Sequence, residues 1–275
     1  MKKMIKPLVA ACLVATVIAS CKKDAKTADQ AADTQISQQT LAQIQKLGFS
    51  TQSVVKVDEG YLVEGDIVLT DELLNGNPQY RLLRAGEAEQ YRTTNLVTRL
   101  PRTITVKVVN LGTAYVQGAD LAISRYNALS ERIKFQRITS GTPDITIRGF
   151  NQPPSGGYIT LGSSGFPTST GNPYSTIKMN TNQYAYGSNP AVTYVGSVIQ
   201  HEMGHCIGFR HTDYMDRSYS CGGAASNEGA SNVGAILIPN TPSGPDANSW
   251  MLACSNGGDR TFNSNDVTAL NYLYH

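Results

Sequence analysis

Residues 201–211 read His201-Glu202-Met203-Gly204-His205-Cys206-Ile207-Gly208-Phe209-Arg210-His211 and hold three of the four histidines in the chain. Four residues of α-helix turn about 400° and rise about 6 Å, so His201 and His205 project from one face, a turn apart. Two imidazoles so placed can bind one zinc ion at about 2.0–2.1 Å. Gly208 can take the positive φ that ends a helix, which turns the chain and lets His211 return as a third nitrogen ligand. Three neutral ligands leave a fourth position for water, and such an ion acidifies that water and polarises a carbonyl. Glu202 can take the water's proton without being a ligand. A helix with solvent-facing histidines and a surface glutamate is the bland alternative. The glycine and the third histidine, both in place, argue against it.

The sequence around the motif supplies the helix it needs. Val192, Val195, Val198 and Ile199 form an apolar stripe, predicting a helix from about Val192 to Ile207. Upstream, Ile104, Val106 and Val108 alternate as a strand, and Ala119–Leu129 has helical character with Leu121, Ala122, Tyr126 and Leu129 on one side. Ile133–Ile138 and Asp144–Arg148 read as two more strands, Gly157–Leu161 as a fourth and Ile177–Met179 as a fifth. Beyond Gly208 the chain is loop-rich and closes with a short helix from Ser264 to Tyr272, capped by Asn263 or Ser264 with Asp266 in its first turn. This mixture predicts an α/β or α+β fold with an irregular tail.

Residues 41–100 differ. Leu41, Ile44 and Leu47 have helical spacing that stops at Gly48, Val54–Val57 and Tyr61–Val63 look like short strands, and Asp71–Leu74 like a turn of helix. The segment has little core of its own and is expected to pack on something larger. Residues 22–40, rich in Ala, Gln, Asp and Thr, read as a disordered tether after Cys21.

The chain begins as an exported protein would. Lys2, Lys3 and Lys6 precede an apolar stretch from Leu8 to Ala19 that suits a signal peptide over residues 1–20. It ends in Ile18-Ala19-Ser20-Cys21, which resembles a bacterial lipobox, so Cys21 is the expected lipid attachment site. The expected location is the cell envelope or cell surface of a bacterium, anchored to a membrane by the lipid rather than spanning it. Of the remaining cysteines beyond the signal, Cys206, Cys221 and Cys254 allow one bridge and one free thiol, with Cys221–Cys254 preferred because both lie in the Gly- and Asn-rich tail.

Composition bounds the function. In 275 residues, 40% are hydrophobic, only 16% are charged and 25 are glycine, which argues against a coiled coil or long solvated helices. A net charge of +2, with no basic domain, gives no support to a nucleic-acid partner. No apolar run after the first twenty residues is long enough to span a bilayer.

The motif resembles the HExxHxxGxxH signature of the metzincin zinc endopeptidases, matched at every defined position. Within that clan the chain looks most like the bacterial HEIGH-type peptidases (family M57) and the related astacins, from about Tyr61 to the C-terminus. The resemblance implies an α+β fold: a twisted five-stranded mixed sheet with two long helices, above an irregular C-terminal subdomain ending in a helix. It assigns residues 101–275 to a catalytic domain holding one catalytic Zn²⁺, and makes Gly157–Ser163 the edge strand that binds extended substrate through main-chain hydrogen bonds. It also places a methionine turn beneath the zinc. Met251, in Ser249-Trp250-Met251, fits that turn better than Met215, which follows His211 too closely. Astacins carry a zinc-binding tyrosine two residues later, where this chain has Ala253.

Glu64-Gly65-Asp66-Ile67 resembles the Gly-Asp segment of astacin propeptides, whose aspartate replaces the catalytic water on zinc. On that resemblance residues 41–100 are a propeptide and Asp66 is the latch of a zymogen. An anionic oxygen suits a site with three neutral nitrogens, and residues 22–205 contain no cysteine to serve instead. The expectation is a monomeric, lipid-anchored zinc endopeptidase acting on protein or peptide substrates. The competing readings are a non-catalytic surface-binding lipoprotein on a protease fold and a zinc-dependent esterase or amidase.

Overall fold

The structure is a computed structural model that describes residues 36–47, 49–75, 90–129, 131–228, 234–242 and 244–275. The predicted signal peptide, Cys21 and most of the predicted tether lie outside the described residues. The first elements are α1 (Gln38–Lys46), β1 (Val55–Val57), β2 (Gly60–Val63), β3 (Ile67–Leu69) and α2 (Asp71–Asn75). Next come β4 (Tyr91–Arg92), β5 (Arg102–Val109), α3 (Thr113–Ala128), β6 (Ile133–Arg137) and β7 (Ile145–Phe150). They are followed by β8 (Gly162–Ser163), β9 (Thr176–Asn180), α4 (Gln183–Tyr186) and α5 (Val192–Ile207). The chain closes with α6 (Ser218–Cys221), β10 (Ile236–Leu237) and α7 (Ser264–Tyr274).

The main sheet has the order β6-β5-β7-β9-β8, with the first four strands parallel and β8 antiparallel at the edge. Alternation sends Ile104, Val106, Ile145, Ile147, Ile177 and Met179 to one face, where each is 0% exposed. They meet Tyr115, Ala119, Ala122 and Tyr126 of α3 and Val195 and Ile199 of α5 in one core. Each large apolar side chain so buried contributes roughly 1.5–3 kcal/mol. The two helices touch backbone to backbone. A Cβ on Gly118 would lie 2.9 Å from Val195 Cγ1 and 3.0 Å from the Gly196 nitrogen.

Sequence and structure part in three places. Helix α3 starts at Thr113 rather than Ala119, and its buried face runs through Tyr115, Gly118, Ala119 and Ala122. Small residues chosen for close helix approach leave little hydrophobic periodicity to read. Helix α1 begins at Gln38, inside the predicted tether, because the Ser37 hydroxyl accepts from the Thr40 N–H and caps it. The predicted strand Gly157–Leu161 is not a strand. Ser155 and Tyr158 exchange backbone hydrogen bonds of 2.9 and 3.0 Å around Gly156 and Gly157, whose φ values are +60° and +85°. That tight turn ends the extended backbone, and sheet pairing begins only at Gly162.

The N-terminal segment forms an antiparallel meander, β1-β2-β3. Its own small core, including Ile44, Leu47, Phe49, Val63, Ile67 and Leu69, is completed by Phe166 from the main body. Glu59 ties the meander to the main sheet through Arg148 and, at 2.6 Å, Lys178. Below the sheet, β4 pairs with β10, and Cys221 is bridged to Cys254. Cys206 is a buried free thiol. Among the described residues no helix is long and apolar enough to cross a membrane.

Candidate active site

Helix α5 is buried on every side from Val195 to Ile207, so its histidines face an interior cleft rather than solvent. Its end is set by Gly208 at φ +111°, in the left-handed region. The turn is closely confined, since a Cβ there would meet Leu96 Cδ2 at 2.7 Å and the Asn95 carbonyl at 3.0 Å. The chain then runs back beside the helix and brings His211 to the other two histidines.

Each ring is held through Nδ1. His201 Nδ1 lies 2.9 Å from the Trp250 carbonyl, His205 Nδ1 2.9 Å from the Phe209 carbonyl and His211 Nδ1 2.7 Å from Glu228 Oε1. All three partners are acceptors, so Nδ1 carries a ring N–H, and Nε2 is the nitrogen whose lone pair is available to a metal once it holds no proton. His205 Nε2 and His211 Nε2 stand 3.1 Å apart. Two such lone pairs repel unless a cation lies between them, and tetrahedral zinc ligands at about 2.0–2.1 Å would stand roughly 3.3 Å apart. Asp66 Oδ2 is 3.1 Å from His211 Nε2 and 3.7 Å from His201 Nε2. The four ligand atoms lie within 4.8 Å of one another. Asp66 Oδ1 is buried without a hydrogen-bond partner. This donor set, three nitrogens and one anionic oxygen, fits a zinc ion.

Burial alone would favour a protonated Asp66, but His211, His201 and His205 together hold its carboxyl well below the ordinary range. Glu202 shows the opposite. It is 1% exposed, and burial, then the charge of Asp66, pushes its carboxyl well above the ordinary value. The Ser164 hydroxyl donates to Glu202 Oε2 at 2.7 Å and fixes the carboxyl. Gly162 leaves it room, since a Cβ there would lie 2.8 Å from Glu202 Oε1. Gly162 lies in β8 and Ser164 directly follows it, so the sheet edge positions Glu202.

Met251 is fully buried under α5, where a Cβ on Gly204 would come within 2.6 Å of its Sδ. Met215 packs elsewhere, with the Tyr91 hydroxyl 3.8 Å from its Sδ. Residues 61–274 match the Peptidase M57 family, the dual-action HEIGH metallo-peptidases. The chain belongs to that family. It is a metallopeptidase, with protein or peptide substrates, and the family implies a catalytic metal. In this member Met203 stands at the third position of the family's HEIGH motif. Two solved structures of myroilysin are similar in fold at 16% identity. One alignment covers 67% of this chain and 98% of that one with a TM-score of 0.43, the other 72% and 99% with 0.40. No protein of curated function is significantly similar in sequence.

Three residues that hold the peptidase's site escaped the sequence reading. Glu228, 1% exposed, braces His211 and also faces Arg210 at 3.4 Å and Arg217 at 3.1 Å. Its one signal was being the only acidic residue between Asp216 and Asp246. Ser164 had no signal. Asp266, read only as a first-turn helix acid, accepts from Gln90 Nε2 (2.6 Å), the Ser249 hydroxyl (2.9 Å) and the Trp250 N–H (3.2 Å). It therefore joins α7 to the Met251 turn and to the start of β4.

Proposed function

We propose that this peptidase is a zinc endopeptidase made as a precursor, with Asp66 as the anionic plug of its metal site. The observation that carries the reading is the seating of the segment around Asp66. Ser164 N–H donates to the Asp66 carbonyl at 2.9 Å and Val68 N–H to the Ser164 carbonyl at 2.7 Å. The segment thus adds itself to the edge of β8 in the way an extended peptide would, while its carboxylate sits at the histidines.

His201, His205 and His211 would hold the zinc, and Glu202 would be the general base. Zinc, when bound, supplies Lewis-acid activation of water and of the scissile carbonyl. The edge of β8 fixes the substrate backbone. Glu202, steadied by Ser164, takes a proton from the attacking water and returns it to the leaving amine. Displacing Asp66 frees the fourth position for water.

Activation then requires a cut that leaves the paired strands of the catalytic part intact. Arg92 lies in β4 beside Tyr91, whose carbonyl accepts from the Arg210 N–H at 2.9 Å, and Arg102 is paired with Asp144 at 2.9 Å. The mature chain should accordingly begin upstream of Gln90, not at residue 101. Arg81 and Arg84, outside the described residues, are the basic positions left for a trypsin-like cut. A cut alone leaves Glu59 and the β3 edge pairing in place, so the pro-segment must also dissociate. Export as a monomeric lipoprotein through Cys21 rests on the sequence alone. Cys21→Ser should release the protein from membranes.

The test uses two variants. Glu202→Gln, made in the activated protein, should keep one zinc per chain and lose hydrolysis by about 10²–10⁴-fold. Asp66→Ala, made in the precursor, should cleave peptides before any processing. Turnover near wild type in the first would remove Glu202 from the chemistry. A folded, zinc-loaded second variant as silent as the wild-type precursor would leave steric blockage as the cause of latency.

A further inference from the structure

The cleft beside the histidines has a volume of about 700 Å³ and carries two arginines, Arg217 and Arg260, on its walls. Arg217 is committed to Glu228. Arg260 is not committed to any acid. Its neighbour Asp259 is taken by Arg125 at 2.6 Å. The nearby Asp213 accepts from the Ser220 hydroxyl at 2.5 Å and the Ala253 N–H at 2.9 Å, and Asp266 accepts from Gln90, Ser249 and Trp250. Among the described residues no carboxylate stands within ion-pair distance of Arg260, and its Nε is buried without a hydrogen-bond partner.

Its position is nevertheless fixed. The Arg260 N–H donates to Ser197 Oγ at 3.0 Å, and Nη1 donates to the Cys254 carbonyl at 3.1 Å. Cys254 is itself pinned by the bridge to Cys221. Ser197 precedes His201 by one helical turn, about 6 Å along α5. Ala253, where a tyrosine would fill space, lines the same cleft. A guanidinium held in place, stripped of part of its water and without a carboxylate in contact is a receptor for a carboxylate. The peptide now seated in the cleft is itself acidic, with Glu64 and Asp66 both on its lining. When it leaves, the carboxylate of Asp66 leaves with it.

Resting on the peptidase reading above, we propose that Arg260 recognises a substrate carboxylate in the cleft that His201 and Glu202 also line. The carboxylate can be an Asp or Glu side chain near the scissile bond or the C-terminus of the substrate, and the two sources are separable.

The experiment uses the activated, zinc-loaded protein and two matched peptide pairs: internal Asp against Asn with amidated C-termini, and a neutral peptide with a free against an amidated C-terminus. A preference in kcat/KM of about tenfold to a hundredfold for one carboxylate source is expected, the range of a charged hydrogen bond. Arg260→Gln should abolish that preference while leaving the neutral amidated peptide within about threefold, and Arg260→Lys should restore part of it. Equal cleavage within both pairs would overturn the proposal. So would an Arg260→Gln protein that slows all peptides alike, since that marks only the clamp on Cys254. Binding of the same peptides to activated Glu202→Gln protein, read by calorimetry, separates the two levels of inference. A carboxylate preference there without any hydrolysis by the parent would refute the peptidase and keep the Arg260 site. Hydrolysis without the preference would do the reverse.

Discussion

Removing Glu228 should weaken metal binding and destabilise the mature enzyme more than the precursor. Glu228 is fully buried and serves three cations or donors at once: His211 Nδ1 at 2.7 Å, Arg217 Nε at 3.1 Å and Arg210 Nη2 at 3.4 Å. Burial works against the charged Glu228, but His211, Arg210 and Arg217 overcome it and hold its carboxyl below the ordinary range. Glu228→Ala leaves Arg210, itself 0% exposed, without its carboxylate. Breaking a buried pair costs about 3–5 kcal/mol. At about 2–4 °C per kcal/mol for a domain of this size, the melting temperature should fall by about 6–20 °C. Loss of the brace on a ligating histidine adds about a 10–100-fold fall in metal affinity.

The precursor has a partial substitute that the mature form lacks. Glu64 lies close enough to Glu228 that burial, then Glu228's charge, pushes its carboxyl well above the ordinary value. Without Glu228, Glu64 can ionise beside Arg210, whose guanidinium also lies 4.9 Å from the Phe49 ring. Both partners leave with the pro-segment. Glu228→Ala should therefore lose less stability before processing than after it. Glu228→Gln keeps an acceptor for His211 Nδ1–H but not the charge, so it should fall between. The assays are thermal melts of precursor and processed protein and zinc competition against a chromophoric chelator. A processed Glu228→Ala protein that melts within about 2 °C of wild type and holds zinc equally well would refute the reasoning.

Three further outcomes follow from contacts in the structure. Gly162→Ala places a Cβ 2.8 Å from Glu202 Oε1 and must displace that carboxyl, so peptide turnover should fall at least about tenfold with little change in melting temperature; unchanged turnover would refute the contact. Gly204→Ala would push a Cβ to 2.6 Å from Met251 Sδ and 3.1 Å from Trp250 Nε1, and should cost about 1–3 kcal/mol in denaturant unfolding. Asp144 should stabilise the fold only above acid pH. Burial opposes its charge, but the Thr105 N–H and hydroxyl and the Arg102 guanidinium overcome it and hold its carboxyl below the usual range. A group lowered on folding contributes above its unfolded value, near 4, and loses that contribution as pH falls through its folded value. Asp144→Asn should thus be about 1–2 kcal/mol less stable at pH 7 and converge with wild type in strong acid; a pH-independent difference would rule the linkage out.

What the sequence disclosed and what it hid divide along one line, local spacing against long-range contact. The histidines were legible because a helix converts the interval from His201 to His205 into a shared face, and because Gly208 is a residue suited to the φ of +111° found there. Strands β5, β6, β7 and β9 were legible because alternate residues had to be apolar to meet two helices. The segment Gly157–Leu161 misled for a related reason. Tyr158 and Ile159 have strand propensity, yet two adjacent glycines at positive φ fold the chain into a turn and leave Tyr158 63% exposed. Helix α3 hid its start because a close crossing needs Gly118 and Ala119, not a row of leucines. Glu228 and Ser164 had no local pattern to obey. Glu228 reaches His211 across 17 residues and Ser164 reaches Glu202 across 38, and each matters only once the fold has brought the pair together. The sequence could name the groups that do chemistry, since their spacing is part of the chemistry. It could not name the groups that hold them still. A loop of any length can deliver an acid to His211 Nδ1, and natural variation in that loop's length would erase the spacing while keeping the contact.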